Sequence, residues 1–145
     1  MSVKKILIEP NKILRQISEP IEGVGIEEQK LMNDMLDTMY AANGIGLAAI
    51  QIGIPKRIIV MDISKNENKK EPIYFVNPVV KNKNSEKAIY EEGCLSVPGQ
   101  FAEIERPNTC DVEYLDYNGK EQLLKAEGLL ATCIQHEMDH LEGIL

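Results

Sequence analysis

The pentapeptide His136-Glu137-Met138-Asp139-His140 places the tightest constraint on what this chain can fold into. HExxH is a metal-hydrolase signature when it lies on a helix. Helical positions four apart lie about 40° apart around the axis and roughly 6 Å apart along it, so two imidazoles can close on one ion. Glu137, next to the first histidine, can then reach a water on that ion and take its proton. The bland alternative is a pair of histidines on a solvated helix face. The flanking residues oppose it. Glu127 to Leu141 reads as a helix that Gly143 ends, with Leu130, Ile134, Met138 and Leu141 on one apolar stripe. Leu129, Cys133, His136 and His140 fall on a neighbouring stripe, so the chain's only two histidines share a face with apolar residues.

A catalytic zinc-type site takes three protein ligands and leaves a position for water. Only five residues follow His140, and Glu142 is their sole carboxylate. The metzincin pattern HExxHxxGxxH fits as far as Gly143 and lacks its last histidine. The third ligand is therefore expected upstream. There, Cys94 stands between Gly93 and Leu95, ahead of an expected Val97-Pro98-Gly99 turn, in a setting that suits a loop presenting one side chain. A small buried hydrophobe is the usual fate of a free cysteine and stays open for Cys94 on its own. A third segment, Gly44 to Gly53, is apolar and glycine-punctuated, with Gln51 as its one polar side chain. It lacks the layout of a nucleotide-binding loop.

Together GIGLAAIQ, EGCLS and QHEMDHLEG, in this order, closely resemble the three signature motifs of peptide deformylases, and the match runs from about Pro10 to Leu145. The resemblance implies an enzyme that removes the formyl group from N-terminal formyl-methionine of nascent polypeptides. It implies one divalent ion on Cys94, His136 and His140, by family habit Fe2+, with Zn2+, Ni2+ or Co2+ as substitutes. Water activated on that ion would attack the formyl carbon, with Glu137 as proton shuttle. Gln51 and the backbone N–H of Leu95 would receive the oxyanion. The methionine pocket would be lined by Ile45, Tyr90, Leu129, Thr132, Cys133 and His136, and the peptide would lie extended beside Ile45, Gly46, Leu47 and Gly93. Arg106 is expected to bond Glu92. Tyr90 and Thr132 depart from the more uniformly aliphatic family lining, and Phe101 stands where many bacterial members carry Arg. The chain lacks the usual C-terminal extension, either as a natural short form like some bacteriophage members or because it has been trimmed, and a weak ribosome association is the most the resemblance implies.

Composition fits this reading. The 145 residues suit one catalytic domain, 1–145, with a real core. A net charge of −7 argues against nucleic acid and anionic membranes as direct partners. No apolar run suggests a signal peptide or membrane span. Three cysteines without a C-x-x-C pair give no disulfide framework and point to a reducing cytoplasm, in a bacterial cell or from a phage gene.

Periodicity predicts a strand at Ile6–Ile8, a helix from Glu27 to Asn43 that Gly44 ends, and a strand from Arg57 to Ile63. A solvated loop follows at Ser64–Glu71. Further strands are expected near 73–80, 88–91, 101–105, 109–115 and 121–125, with a hairpin turn at Asp116–Gly119. The expected fold is a single α+β domain, with mostly antiparallel sheets packed around a central helix carrying HExxH, and a monomer. Two other readings remain: a metallo-aminopeptidase or protease with a different third ligand, and an inactive protein that binds metal or peptide without turnover.

Overall fold

The computed structural model describes residues 3–8, 11–64 and 70–144. A 3₁₀ turn (Lys12–Arg15) opens the fold, followed by helix α1 (Ile26–Ala41), β1 (Gly46–Ala48), a second 3₁₀ turn (Ala49–Ile52), β2 (Ile58–Met61) and β3 (Ile73–Lys81). Then come β4 (Lys87–Cys94), β5 (Val97–Pro107), β6 (Thr109–Leu115), β7 (Glu121–Glu127) and helix α2 (Gly128–Leu141). Five strands form one antiparallel sheet in the order β1-β2-β3-β6-β7, and β4 and β5 make a separate hairpin.

Strand alternation explains how the layers stack. All four residues of β2 are buried. Ile58 and Val60 point to one face, where they join Met32, Met35 and Met39 of α1. Ile59 and Met61 point to the other, where they join Ala131, Cys133 and Ile134 of α2. Period-two alternation thus lets one short strand serve two cores. Helix α2 is buried on most of its circumference because the sheet covers one side and β5 packs on another. The methionines of α1 are core filling, as flexible apolar side chains do well.

Several expectations shift in detail. Residues 3–8 form no strand; Leu7 N–H makes one hydrogen bond to the Gln51 carbonyl at 2.7 Å. Helix α1 stops at Ala41, and Asn43, not Gly44, takes the left-handed conformation at φ 57°. Asparagine is tolerated there, and Gly44 N–H then reaches back to the Met39 carbonyl at 2.9 Å. Most of the expected 64–71 loop, residues 65–69, lies outside the described residues. The Asp116–Gly119 turn is present, with Gly119 at φ 79° and the Asp116 carboxylate accepting from Asn118 and Lys120 N–H.

At the other end of α2, Gly143 (φ 76°) turns the chain so that Ile144 N–H donates to the Asp139 carbonyl at 2.9 Å. A Cβ at Gly143 would collide with the Arg15 carbonyl, so glycine is required twice over: for the turn and for the close approach. Ser18 N–H donates to the Leu141 carbonyl at 2.7 Å and also ties the N-terminal segment to the end of α2. Among the described residues, no helix is long and apolar enough to cross a membrane.

Candidate metal centre and pocket

The β4–β5 hairpin delivers Cys94 to α2. Its turn is Leu95–Ser96, not Val97–Gly99, because Cys94 pairs directly with Val97 and β5 begins there. A two-residue connection is the tightest route between antiparallel strands. The register slips between Gly93 and Cys94, an irregularity of the kind that re-aims a side chain. As a result Cys94 Sγ lies 3.3 Å from His140 Nε2, and His140 Nε2 lies 3.2 Å from His136 Nε2.

These three donors fit a single metal ion. Tetrahedral coordination with bonds of about 2.0–2.1 Å to nitrogen and about 2.3 Å to sulfur needs N···N near 3.3 Å and S···N near 3.6 Å. The observed separations sit close to both, and the three donor atoms lie within 4.8 Å of one another. A thiolate with two imidazoles suits the later first-row divalent ions. Electrostatics agree. Burial alone would lower the His136 pKa, but the bond to Cys94 and the carboxylates of Glu137 and Glu92 outweigh it and raise it to about 9. The carboxylates of Glu137 and Glu92 that raise it would equally favour a cation beside the ring. His140 is driven the other way, to about 3, by burial and then by the nearby His136, and so stays neutral.

Behind the histidines lies a carboxylate–guanidinium brace. Glu92 Oε1 stands 2.9 Å from His136 Nδ1, which leaves Nε2 facing the donor cluster. Arg106 grips Glu92 in a two-point bond, with Nε to Oε2 at 2.7 Å and NH2 to Oε1 at 2.9 Å, and reaches Asp139 Oδ2 at 2.9 Å. Burial pushes the Glu92 pKa up, but the bonds from Arg106 and His136 dominate and hold it below the ordinary carboxylate range. The Arg106–Glu92 pair was expected from the sequence; the contacts to His136 and Asp139 were not. The missed signal was strand alternation, since Glu92 and Cys94 are two apart on β4 and share its inner face.

Glu137 is 4% exposed, and its Oε1 has no hydrogen-bond partner among the described residues. Burial raises its pKa to about 7, with the charge on His136 pulling the other way. Oε1 lies 4.0 Å from His140 Nε2. Gly46 of β1 comes close on the opposite side: a Cβ there would stand 2.7 Å from Glu137 Oε2 and 3.1 Å from Cys133 Sγ.

Gln51, 1% exposed, accepts from Ala48 N–H through Oε1 at 2.9 Å. Its Nε2 group faces Ser96 Oγ at 3.2 Å and Cys94 Sγ at 3.6 Å. One end of the amide is thus fixed to backbone and the other is turned to the donor cluster. Leu95 follows Cys94 in the turn, and its side chain fills the space above Gly44.

A pocket of about 480 Å³ opens beside the cluster. Ile45, Gly46, Tyr90, Gly93, Leu129, Thr132 and Cys133 all line it, as do Gln51, Cys94, Leu95, His136 and Glu137. His140 is placed behind them, 1% exposed. Asn43, Glu91 and Val97 also line the pocket and were not expected. Burial raises the Cys133 pKa well above the ordinary thiol value, with Glu137 adding to the effect, so this second sulfur stays a neutral wall.

Comparison with known proteins agrees with this geometry. The family model for polypeptide deformylase matches residues 3–145. A peptide deformylase from Pelagibacter ubique is 81% identical over all of this chain and 84% of its own length. The structure of the Ehrlichia chaffeensis peptide deformylase in complex with actinonin superposes with a TM-score of 0.93 at 47% identity, over 100% of this chain and 87% of that one. A Met-Ala-Ser-bound class I type b peptide deformylase from Acinetobacter baumannii gives 0.93 at 34% identity, over 100% and 97%. The chain therefore belongs to the polypeptide deformylase family, metal-dependent hydrolases that remove the N-terminal formyl group.

Proposed function

We propose that this pocket hydrolyses the formamide of N-formyl-methionyl peptides, with Cys94, His136 and His140 holding one divalent ion, Fe2+ in the native state. The observation that carries the reading is the meeting of three elements: a Cys/His/His donor set, a buried carboxylate 4.0 Å from it whose Oε1 has no hydrogen-bond partner among the described residues, and an apolar pocket alongside. When bound, the ion would supply Lewis acidity toward water and the formyl oxygen.

The chain's own residues do the rest. Glu137 takes a proton from the attacking water and passes it to the departing amine, so the C–N bond breaks and formate and a free α-amine leave. A carboxylate that titrates near pH 7 is well matched to both halves of that task. Gln51 Nε2 and the Leu95 backbone N–H stabilise the developing oxyanion, where one such donor is typically worth about 3–4 kcal/mol. Tyr90, Leu129, Thr132 and Cys133 receive the methionine side chain. The peptide backbone lies extended between Ile45–Leu47 and Gly93 as an added strand. Among the described residues β1 pairs with β2 alone, Ala48 N–H is taken by Gln51 Oε1, and Ile45 and Gly46 line the pocket, so the Ile45–Gly46 end of the strand is the part that would meet a peptide.

Family membership weighs against an aminopeptidase of unformylated peptides. We also take the protein to be one catalytic domain and a monomer that meets its substrates as nascent chains, with weak ribosome contact at most. The test is an anaerobic assay on formyl-Met-Ala-Ser with metal analysis of the same sample. Formate release proportional to iron content is expected. Full metal occupancy without formate release would instead support a binding protein.

A further inference from the structure

The outer face of the β4–β5 hairpin places an exposed ring beside two exposed carboxylates. Along β4 burial alternates strictly: Tyr90, Glu92 and Cys94 face inward, while Ile89, Glu91 and Gly93 face out. Phe101 pairs with Gly93 and is 67% exposed. Its ring covers Gly93 so closely that a Cβ there would stand 2.6 Å from Phe101 Cε1. Glu91 pairs with Glu103, both exposed, next to that ring on the same face. Phe101, Gly93 and Glu91 also line the mouth of the methionine pocket. No ion pair links Glu91 or Glu103 to a basic residue among the described residues.

We propose that this ring and the Glu91 carboxylate form the subsite for the second side chain of the formylated peptide, and that they select a lysine or arginine there. This rests on the deformylase reading above. Successive side chains of an extended peptide point to opposite faces. If the first enters the inner pocket, the second projects to the outer face, where Phe101 and Glu91 meet it. A long basic side chain suits both, because its methylene stem packs on apolar surface while its head stays charged. The head gains a ring face and a carboxylate. An acidic second residue would meet Glu91 and Glu103 as like charges.

The test compares kcat/KM for C-terminally amidated formyl-Met-Lys-Ser, formyl-Met-Ser-Ser and formyl-Met-Glu-Ser, and binding of the deformylated products by calorimetry. Lysine should exceed serine by roughly 3- to 10-fold, as expected of a cation–π contact plus an exposed ion pair, and glutamate should fall below serine. Glu91→Gln should narrow the lysine-to-glutamate ratio, and added salt should narrow it in the parent. Phe101→Ala should lower the lysine-to-serine ratio even at high salt, with Phe101→Leu between it and the parent. Equal efficiencies for the three peptides, or ratios unmoved by Glu91→Gln and Phe101→Ala, would overturn the proposal. If no peptide is turned over, the deformylase reading fails, and the product-binding order still decides the subsite.

Discussion

Glu92 Oε1 and His136 Nδ1 lie 2.9 Å apart, so the inner ring nitrogen of one expected ligand is held by a carboxylate that Arg106 fixes in turn. This arrangement sets the tautomer that frees Nε2 for a metal and raises the basicity of the ring. Losing such a partner typically costs 10- to 100-fold in metal affinity. Glu92→Gln keeps the shape but loses the charge that both Arg106 and His136 use. Competition with a chelator should show metal affinity reduced by about that factor. Unchanged affinity would mean that the brace serves only the fold.

Gly46 of β1 stands against Glu137 with no room for a Cβ between them. Gly46→Ala must displace either the carboxylate or strand β1. Overpacking of this kind costs about 1–3 kcal/mol. Thermal melting should fall accordingly, and turnover should fall further than stability alone explains, because the displaced group is the proposed proton carrier. A variant with normal melting and normal turnover would show that the approach is slack.

These two contacts also mark the limit of what the sequence discloses. The helix with HEMDH and its inward stripe were legible as helical spacing, whereas Cys94 and Gln51, open to blander readings alone, were picked out by the resemblance of their segments to family motifs. The hairpin turn at Asp116–Gly119 was legible as a local pattern. The Gly46–Glu137 approach joins residues far apart in the chain and leaves no periodic trace. The turn at Leu95–Ser96 was misplaced because Pro98 and Gly99 are strong turn residues by type. The register of β4 against β5, visible only in three dimensions, carries them into a strand. The left-handed position at Asn43 was missed because the next residue is the commoner choice, glycine.

Asp62 offers a pH test away from the metal. It is 5% exposed and accepts from Tyr40 Oη at 2.5 Å, Ser64 Oγ at 2.6 Å, Ser64 N–H at 2.9 Å and Glu71 N–H at 3.0 Å. Burial pushes its pKa up, but these bonds prevail and leave it below the ordinary value of 3.8. A depressed folded-state pKa stabilises the fold above the unfolded value, and the effect is lost as pH falls through the folded one. Asp62→Asn should therefore destabilise by about 1–3 kcal/mol at neutral pH, and the gap in denaturant midpoints should close below pH 3.8. A gap that widens in acid would reverse the assignment.

The identity of the ion bears on handling. A ferrous ion beside the Cys94 thiolate is open to air oxidation, and the thiolate itself can climb toward sulfenic acid. The iron form should lose activity in air, while nickel or cobalt substitution should protect it. Equal half-lives for iron- and nickel-loaded protein in air would contradict a native iron site.

The most direct measurement of the central claim is single-turnover deformylation of formyl-Met-Ala-Ser by Glu137→Gln, with metal content determined on the same sample. Glutamine keeps the shape and cannot accept the proton. The account predicts full metal loading with turnover reduced by at least about 10²–10⁴-fold, the range typical of general acid–base catalysis. Near-normal turnover in the loaded variant would contradict the assignment of proton transfer to Glu137.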